Sequence, residues 1–248
     1  MAAAPRRVLV TGGASGIGGA IVERLVGQGF AVEFTYHRAA AEAAALGERF
    51  GAAAQGRACD LADGGAVENL ARSIEEGDAW YGLVHNAGVT ADALAALIDQ
   101  ATAERVFAVN FWSMVRLVRA LLRPMTAARQ GRIVLVGSLA ASRGSAGNAI
   151  YAASKAAMAG YMASLVSETA RRGITVNSVA PGFIDTGMLQ PYASRRSGLE
   201  KQIPAGRYGK ADEVAAAVAF LMSDEAAYVN GATLPVDGGL GAVLPVQR

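Results

Sequence analysis

Short apolar runs alternate with helical stretches of ten or more residues along the whole 248-residue chain, and this rhythm is the strongest constraint on its fold. The opening unit sets the pattern. Val8-Leu9-Val10 is a continuous apolar run, as a parallel strand covered on both faces requires. Thr11-Gly12-Gly13-Ala14-Ser15-Gly16-Ile17-Gly18 follows, after which Ala20, Ile21, Leu25 and Val26 recur at helical spacing until Gly27 and Gly29 end the helix. Further strands are expected at 30–36, 53–59, 81–85, 133–137, 175–179 and 233–236, with helices near 39–50, 64–76, 99–128, 152–171 and 211–223. Strands separated by helices of this length pair in parallel through right-handed crossovers. The expected architecture is α/β: a doubly wound Rossmann fold, seven parallel strands with helices on both faces.

No linker, repeat or low-complexity stretch divides the chain, so 1–248 reads as one domain. A hydrophobic content of 52% against 18% charged excludes disorder by composition. Every apolar run is interrupted well short of the roughly 18–20 residues of a membrane span. A net charge of +2 is too balanced for a nucleic-acid binder. The single cysteine, Cys59, excludes an internal disulfide, and with only His37 and His85, far apart in sequence, no metal cluster is expected. The N-terminus lacks the long apolar core of a signal peptide, so the expected location is cytoplasmic. The stretch 183–209 breaks the rhythm with Gly187, Pro191, Gly198, Pro204, Gly206, Gly209 and the pair Arg195-Arg196. A connection this long is a lid, a binding loop or disordered, and its place after a strand's carboxyl end favours a substrate lid.

Gly12, Gly16 and Gly18 follow a strand and open a helix. In that context glycine lets the backbone turn sharply and approach a pyrophosphate held at the helix N-terminus, with Ser15 and Ile17 in the same turn. An NAD site usually carries an acid about twenty residues past the turn. Here the second strand ends Tyr36-His37-Arg38, and no Asp or Glu appears until Glu42. Arg38, with His37, can instead meet a 2′-phosphate, which points to NADP(H); otherwise Arg38 is a solvated residue at a helix start. Asp60 and Leu61 close the third strand, where they can meet the adenine, or Asp60 can cap the helix near Asp63. Asn86-Ala87-Gly88 ends the fourth strand and can wall the adenosine ribose, or merely form a turn.

After the fifth strand comes Ser138, and thirteen residues later Tyr151-Ala152-Ala153-Ser154-Lys155 at the start of a helix. Positions i and i+4 share a helix face, so the Tyr151 hydroxyl and Lys155 ammonium can converge. A free phenol titrates near 10, and bringing it near neutrality takes about 4 kcal/mol, for which a neighbouring cation is the expected source. A hydride-transfer enzyme needs such a proton donor, because the carbonyl oxygen gains a proton as its carbon gains hydride.

The ordered set Thr11 to Gly18, Asn86-Ala87-Gly88, Val109-Asn110, Ser138, Tyr151 with Lys155, Pro181-Gly182 and Val236-Asp237-Gly238-Gly239 resembles the short-chain dehydrogenases/reductases over nearly the whole chain. The resemblance implies that Tyr151 is the general acid and that Ser138 bonds the substrate oxygen. It implies that Lys155 lowers the tyrosine and holds the nicotinamide ribose, and that Asn110 anchors a proton-relaying water. Pro181, Gly182, Ile184 and Thr186 would line the nicotinamide. Two departures stand out: Ser15 sits where many NADP-dependent members carry a basic residue, and His85 sits where asparagine is usual. His85 is read as a strand-end residue and not a catalyst.

Within the family, the stretches 86–94, 131–138 and 172–186 are most similar to 3-oxoacyl-ACP reductases. That implies NADPH-dependent reduction of a 3-oxoacyl thioester on acyl carrier protein or coenzyme A, in fatty acid or polyketide/polyene synthesis. Arg129 and Arg172 resemble carrier-docking arginines expected near the cleft mouth, or are solvated helix-end residues. Two other readings stay open: an alcohol, sugar or cyclic-ketone dehydrogenase acting on a free molecule, and a silent NADP(H)-binding protein, against which intact Ser138, Tyr151 and Lys155 argue. Val106, Phe107, Phe111, Met114, Val115, Val118 and Leu122, with Met158, Tyr161, Met162 and Leu165, suggest two helices pairing across a dyad. A homotetramer is expected, a dimer being the alternative.

Overall fold

The computed structural model describes residues 5–77 and 79–243; the first four residues, on which the reading of the N-terminus partly rests, lie outside them. Seven strands form one parallel sheet: β1 (Arg7–Thr11), β2 (Ala31–Tyr36), β3 (Ala54–Ala58), β4 (Gly82–His85), β5 (Gly131–Val136), β6 (Ile174–Pro181) and β7 (Thr233–Val236). Their order across the sheet is β3-β2-β1-β4-β5-β6-β7. The strand order reverses between β1 and β4, and ligands bind outside the strands' carboxyl ends at such a switch point.

Alternate strand residues point to opposite faces and feed two separate cores. Val8, Val10, Val134 and Val136 pack under α1 (Gly16–Gly27), α2 (Ala40–Phe50) and α8 (Ala211–Met222), with Ile21, Leu25, Leu46, Val214 and Val218. Leu9, Ile133 and Leu135 pack on the other side, under α3 (Gly64–Glu76), α5 (Ser113–Ala128) and α6 (Ala149–Thr169). Asp63 caps α3 by accepting from Gly65 and Ala66 backbone N–H at 2.8 and 3.3 Å.

The single helix expected at 99–128 is three pieces. α4 (Gln100–Phe107) passes through one π-helical turn, Ala108–Trp112, into α5. A π turn inserts one residue into the helical ladder and often marks a functional position. Its strain is met locally: the Ser113 hydroxyl donates to the Val109 carbonyl at 2.7 Å.

The segment 183–209 is an excursion with ordered ends. Ile184 and Gly209 form an isolated parallel bridge, and Phe183 stacks on Tyr208 at 5.7 Å. Arg196, in the short helix α7 (Arg196–Glu200), lies 4.7 Å over the Tyr208 ring and bonds Asp185 and Glu200 at 2.9 Å. Farther out, the Tyr192 hydroxyl donates to the Asp92 carboxylate in the connection after β4. Among the described residues no helix is long and apolar enough to cross a membrane, and no His/Cys/Asp/Glu group could hold a metal.

Candidate active site

The glycine turn is fixed by close packing. Gly12 and Gly16 have φ of 63° and 56°, which side chains rarely adopt. A Cβ on Gly18 would lie 1.9 Å from the Gly12 carbonyl and 2.6 Å from Asn86 Nδ2. Thr35 holds the turn from β2: its hydroxyl accepts from Gly12 N–H at 3.2 Å and its carbonyl from Gly13 N–H at 2.9 Å. Asn86 holds it from β4, its amide donating to Thr11 and Gly12 carbonyls at 3.2 and 2.9 Å. Ser15, at the N-cap of α1, makes no side-chain cap bond, and no acid occupies the first helical turn. A close-packed glycine turn opening on an uncapped, acid-free helix start fits a dinucleotide pyrophosphate.

At the end of β2, Arg38 is exposed, and its guanidinium has no ion pair or hydrogen bond among the described residues. His37 is not equally free, because its Nε2 lies 3.6 Å from Asp60 Oδ2. Asp60 does not cap α3; it bonds the Ala62 N–H at 2.9 Å and keeps its other oxygen toward His37. Leu61 is buried in the core shared with Val67 and Leu70, which leaves little of it to pack on an adenine. The guanidinium of Arg38, with no partner among the described residues, suits a 2′-phosphate.

Across the switch point, Ser138, Tyr151, Lys155 and Asn110 come together. Ser138 follows β5, and Tyr151 and Lys155 open α6, so both elements deliver their groups to the sheet's carboxyl edge. Lys155 is 3% exposed, and its Nζ donates to the Val136 carbonyl at 2.7 Å, 5.9 Å from the Tyr151 ring centre. Burial lowers its pKa to about 8. The expectation that Lys155 lowers the Tyr151 phenol is not met: burial raises it, a hydrogen bond with Ser138 opposes the rise, and the Asp92 carboxylate adds to it. The physical reason is that desolvation of the phenolate outweighs the one hydrogen bond that favours it. The phenol therefore stays protonated at neutral pH.

Asn110 sits in the π turn and is fully buried. Its side chain accepts from Val89 N–H at 2.8 Å and donates to the Val89 carbonyl at 3.0 Å and Ser154 Oγ at 2.9 Å. Ser154 in turn donates to the Tyr151 carbonyl at 2.7 Å. Gly88 lies between these groups: a Cβ there would be 3.3 Å from Lys155 Nζ and 3.5 Å from Asn110 Oδ1. Ser154, Thr11 and Thr35 were not expected as site residues. Thr11 and Ser154 fall inside the motifs, so their polarity within otherwise apolar and small runs was the available signal.

On the far side, Pro181 ends β6, and Gly182 donates to the Val236 carbonyl at 3.0 Å. A Cβ on Gly182 would lie 2.8 Å from Asp237 Cβ, so the C-terminal turn backs this wall. Ile184 is buried, and Thr186 faces the glycine turn, 3.5 Å from where a Gly16 Cβ would be. His85 ends β4, fully buried, with Nδ1 3.1 Å from Thr11 Oγ1 and Nε2 3.3 Å from the Asn110 carbonyl.

Arg129 and Arg172 do not stand near this chain's cleft mouth. Arg129 follows α5 and precedes β5, and Arg172 follows α6 and precedes β6, so both lie at the amino edge of the sheet. A six-residue strand separates that edge from Ser138, about 20 Å. Arg129 (φ 51°) also donates to the Arg171 carbonyl at 3.2 Å, closing the end of α6. The apolar dyad surface is likewise smaller than expected, because Val106, Met114, Val118, Met158, Met162 and Leu165 are buried within the chain. Trp112 stays 51% exposed, its ring edge-on to Phe111, which also meets Tyr161.

A family model described as enoyl-(acyl carrier protein) reductase matches residues 12–241. The chain is 43% identical over 239 residues to the 3-oxoacyl-[acyl-carrier-protein] reductases FabG of Salmonella typhimurium and Escherichia coli, covering 94% of this chain and 96% of each relative. Among solved structures it is similar to a Serratia marcescens short-chain dehydrogenase/reductase, at 35% identity and TM-score 0.88 over 95% of this chain and 98% of the other. A Beutenbergia cavernae protein provisionally named an NAD(P)-dependent gluconate 5-dehydrogenase, solved with NADP at low occupancy, matches at 34% identity and TM-score 0.92 over 97% and 98%. With the glycine turn and the Ser138, Tyr151 and Lys155 group on one sheet edge, these likenesses show that the chain belongs to the short-chain dehydrogenase/reductase family.

Proposed function

We propose that this protein reduces a 3-oxoacyl thioester, carried on acyl carrier protein or coenzyme A, to the 3-hydroxyacyl thioester at the expense of NADPH, in fatty acid or polyketide/polyene biosynthesis. The observation that carries the reading is the placing of Ser138, Tyr151 and the buried Lys155 at the same carboxyl edge of the sheet as the glycine turn. The 43% identity to FabG reductases over nearly the whole chain gives the substrate class.

Gly12, Ser15, Gly16, Ile17 and Gly18 would hold NADPH at its pyrophosphate and Arg38 at its 2′-phosphate, and the bound cofactor would supply the hydride for C3 of the substrate. Ser138 and Tyr151 hold the C3 carbonyl oxygen. As charge develops there, the Tyr151 O–H breaks and its proton passes to the oxygen, leaving a phenolate. That anion accepts from the Ser138 hydroxyl, and Lys155, whose pKa is lowered to about 8, can return a proton at neutral pH. Asn110 and Ser154 fix the backbone on either side of this exchange. Asn86, Ala87 and Gly88 would wall the adenosine ribose, Asp60 would take the adenine edge, and Pro181, Gly182, Ile184 and Thr186 would line the nicotinamide side. The segment 183–209 covers the acyl group.

The aromatic surface of Phe107, Phe111, Trp112 and Tyr161 supports pairing of this chain with a second copy, and the exposed Leu234 on β7 supports a second contact, hence a homotetramer or a dimer. Arg129 and Arg172 then serve the cleft of another copy, since they lie on the edge opposite their own. A reducing cytoplasm suits the buried free thiol of Cys59.

The gluconate dehydrogenase neighbour supports a second reading, oxidation of a free hydroxy compound. Initial rates with acetoacetyl-CoA, its carrier-protein counterpart, crotonyl-CoA, 5-ketogluconate and cyclohexanone, each with NADPH and NADH, separate the two. Turnover of the 3-oxo thioesters with NADPH, lost by about 10²–10⁴-fold in Tyr151→Phe while NADPH still binds, is the expected result. Activity confined to the free ketones or to crotonyl-CoA would overturn it.

A further inference from the structure

His85 lies outside the reacting group but between its two supports. The ring is fully buried at the end of β4, at the switch point itself. One side faces Thr11, the last residue of β1; the other faces the backbone carbonyl of Asn110 in the π turn. A carbonyl can only accept, so Nε2 carries the proton and donates to Asn110. Thr11 Oγ1 already accepts two backbone N–H groups, from Asn86 and Ala87, both at 3.1 Å. Its own proton is left to donate to His85 Nδ1. The contacts therefore define one tautomer, Nε2–H, and a single donor chain from Thr11 through the imidazole to Asn110. Burial and the nearby Lys155 ammonium keep the ring neutral, its pKa lowered to about 3.

We propose that His85 is a positioning residue for the reductase reaction: its Nε2–H pins the Asn110 carbonyl in the π turn and so sets the Asn110 and Ser154 brace behind Tyr151 and Lys155. The proposal rests on the reductase reading above. Asn110 is the only side chain among the described residues that bonds both the Val89 backbone and Ser154, and Ser154 bonds the Tyr151 carbonyl. A shift of the π turn therefore reaches the proton donor through two hydrogen bonds. The imidazole is the link that ties this turn to β1, where the cofactor turn begins.

Two variants divide the two halves of the ring. His85→Gln places an amide N–H near Nε2 and keeps the Asn110 contact; His85→Asn reaches only the Nδ1 position and keeps the Thr11 contact. We expect His85→Gln to retain kcat within about threefold. We expect His85→Asn and His85→Leu to lose roughly 10- to 100-fold in kcat, with KM and the NADPH dissociation constant within about threefold, as for removal of outer partners that orient reacting groups. Wild-type kcat in His85→Asn, or parallel loss of NADPH binding in all three variants, would overturn the proposal. Independently, 15N spectra of the histidine-labelled wild type should show protonated Nε2 and bare Nδ1 from pH 5.5 to 8; an Nδ1–H tautomer or an imidazolium in that range would also overturn it. Binding and spectra need no substrate, so they stand apart from failure of the reductase reading, which would appear as no turnover of any 3-oxo thioester in the wild type.

Discussion

Lys155 Nζ donates to the Val136 carbonyl at 2.7 Å, which anchors a buried ammonium at the end of β5 and beneath the Tyr151 ring. The group titrates near 8 in the folded chain and near 10.5 in the unfolded one. Below pH 8 both states are protonated, and the fold carries the full penalty of the buried charge. Between pH 8 and 10.5 the unfolded chain binds more protons, so stability rises with pH. Lys155→Met removes the penalty along with the Val136 bond. It is expected to be more stable by on the order of 1–2 kcal/mol at pH 7, with the gain fading above pH 8, and to be inactive. Thermal unfolding of both proteins across pH 6.5–10 checks this; a less stable variant at pH 7 would contradict it.

Arg38 is exposed at the end of β2 with no ion pair or hydrogen bond among the described residues, which makes it the expected reader of the 2′-phosphate. Arg38→Ala is expected to weaken NADPH roughly 10- to 100-fold, the worth of one or two charge-assisted bonds, and to leave NADH within about twofold. Fluorescence titrations with the two cofactors measure it. Equal losses for both would place the 2′-phosphate elsewhere.

The Tyr192 hydroxyl joins the 183–209 segment to Asp92, and the carboxylate holds the phenol's pKa up at about 12. The bond therefore persists across the working pH range. Tyr192→Phe is expected to raise KM for the acyl substrate several-fold and to speed tryptic cleavage after Arg195 or Arg196, with NADPH binding unchanged. Unaltered cleavage kinetics would show that the segment is held by its ends alone.

His85 gives the fold an acid limit. Its pKa is about 3 when folded and near 6.5 when unfolded, so the stability it reports is complete above pH 6.5 and drains away as the pH falls toward 3. A loss of about 2–3 kcal/mol between pH 7 and 4.5 is expected from this ring. His85→Gln should lose less over that interval in denaturant unfolding; an identical slope would assign the acid sensitivity to carboxylates.

The central strands were legible because a sheet covered on both faces demands unbroken apolar runs, and Val8-Leu9-Val10 and Ile133-Val134-Leu135-Val136 supply them, whereas the exposed edge strand β3, Ala54–Ala58, was read from its place in the alternation. The glycine turn was legible because Gly18 cannot be anything larger. The π turn was not: hydrophobic periodicity over 99–128 averages across thirty residues and does not register one inserted residue. The placement of Arg129 and Arg172 could have been read from the alternation, since a helix that leaves the carboxyl edge must end at the amino edge. Val106, Met114 and Met158 misled because an apolar residue facing the sheet and one facing another copy look alike in sequence. The Tyr151 phenol misled because spacing shows its cation and hides the desolvation that outweighs it.

The bridge between Ile184 and Gly209 means that the chain departs from the sheet and returns to it at almost one point. Everything strung between those two residues is a cassette. Exchanging 185–208 for the corresponding stretch of another family member would leave the strands, the glycine turn and the proton donor in register. Such a transplant is expected to change which acyl group is accepted and to leave the proton donor's chemistry as it was.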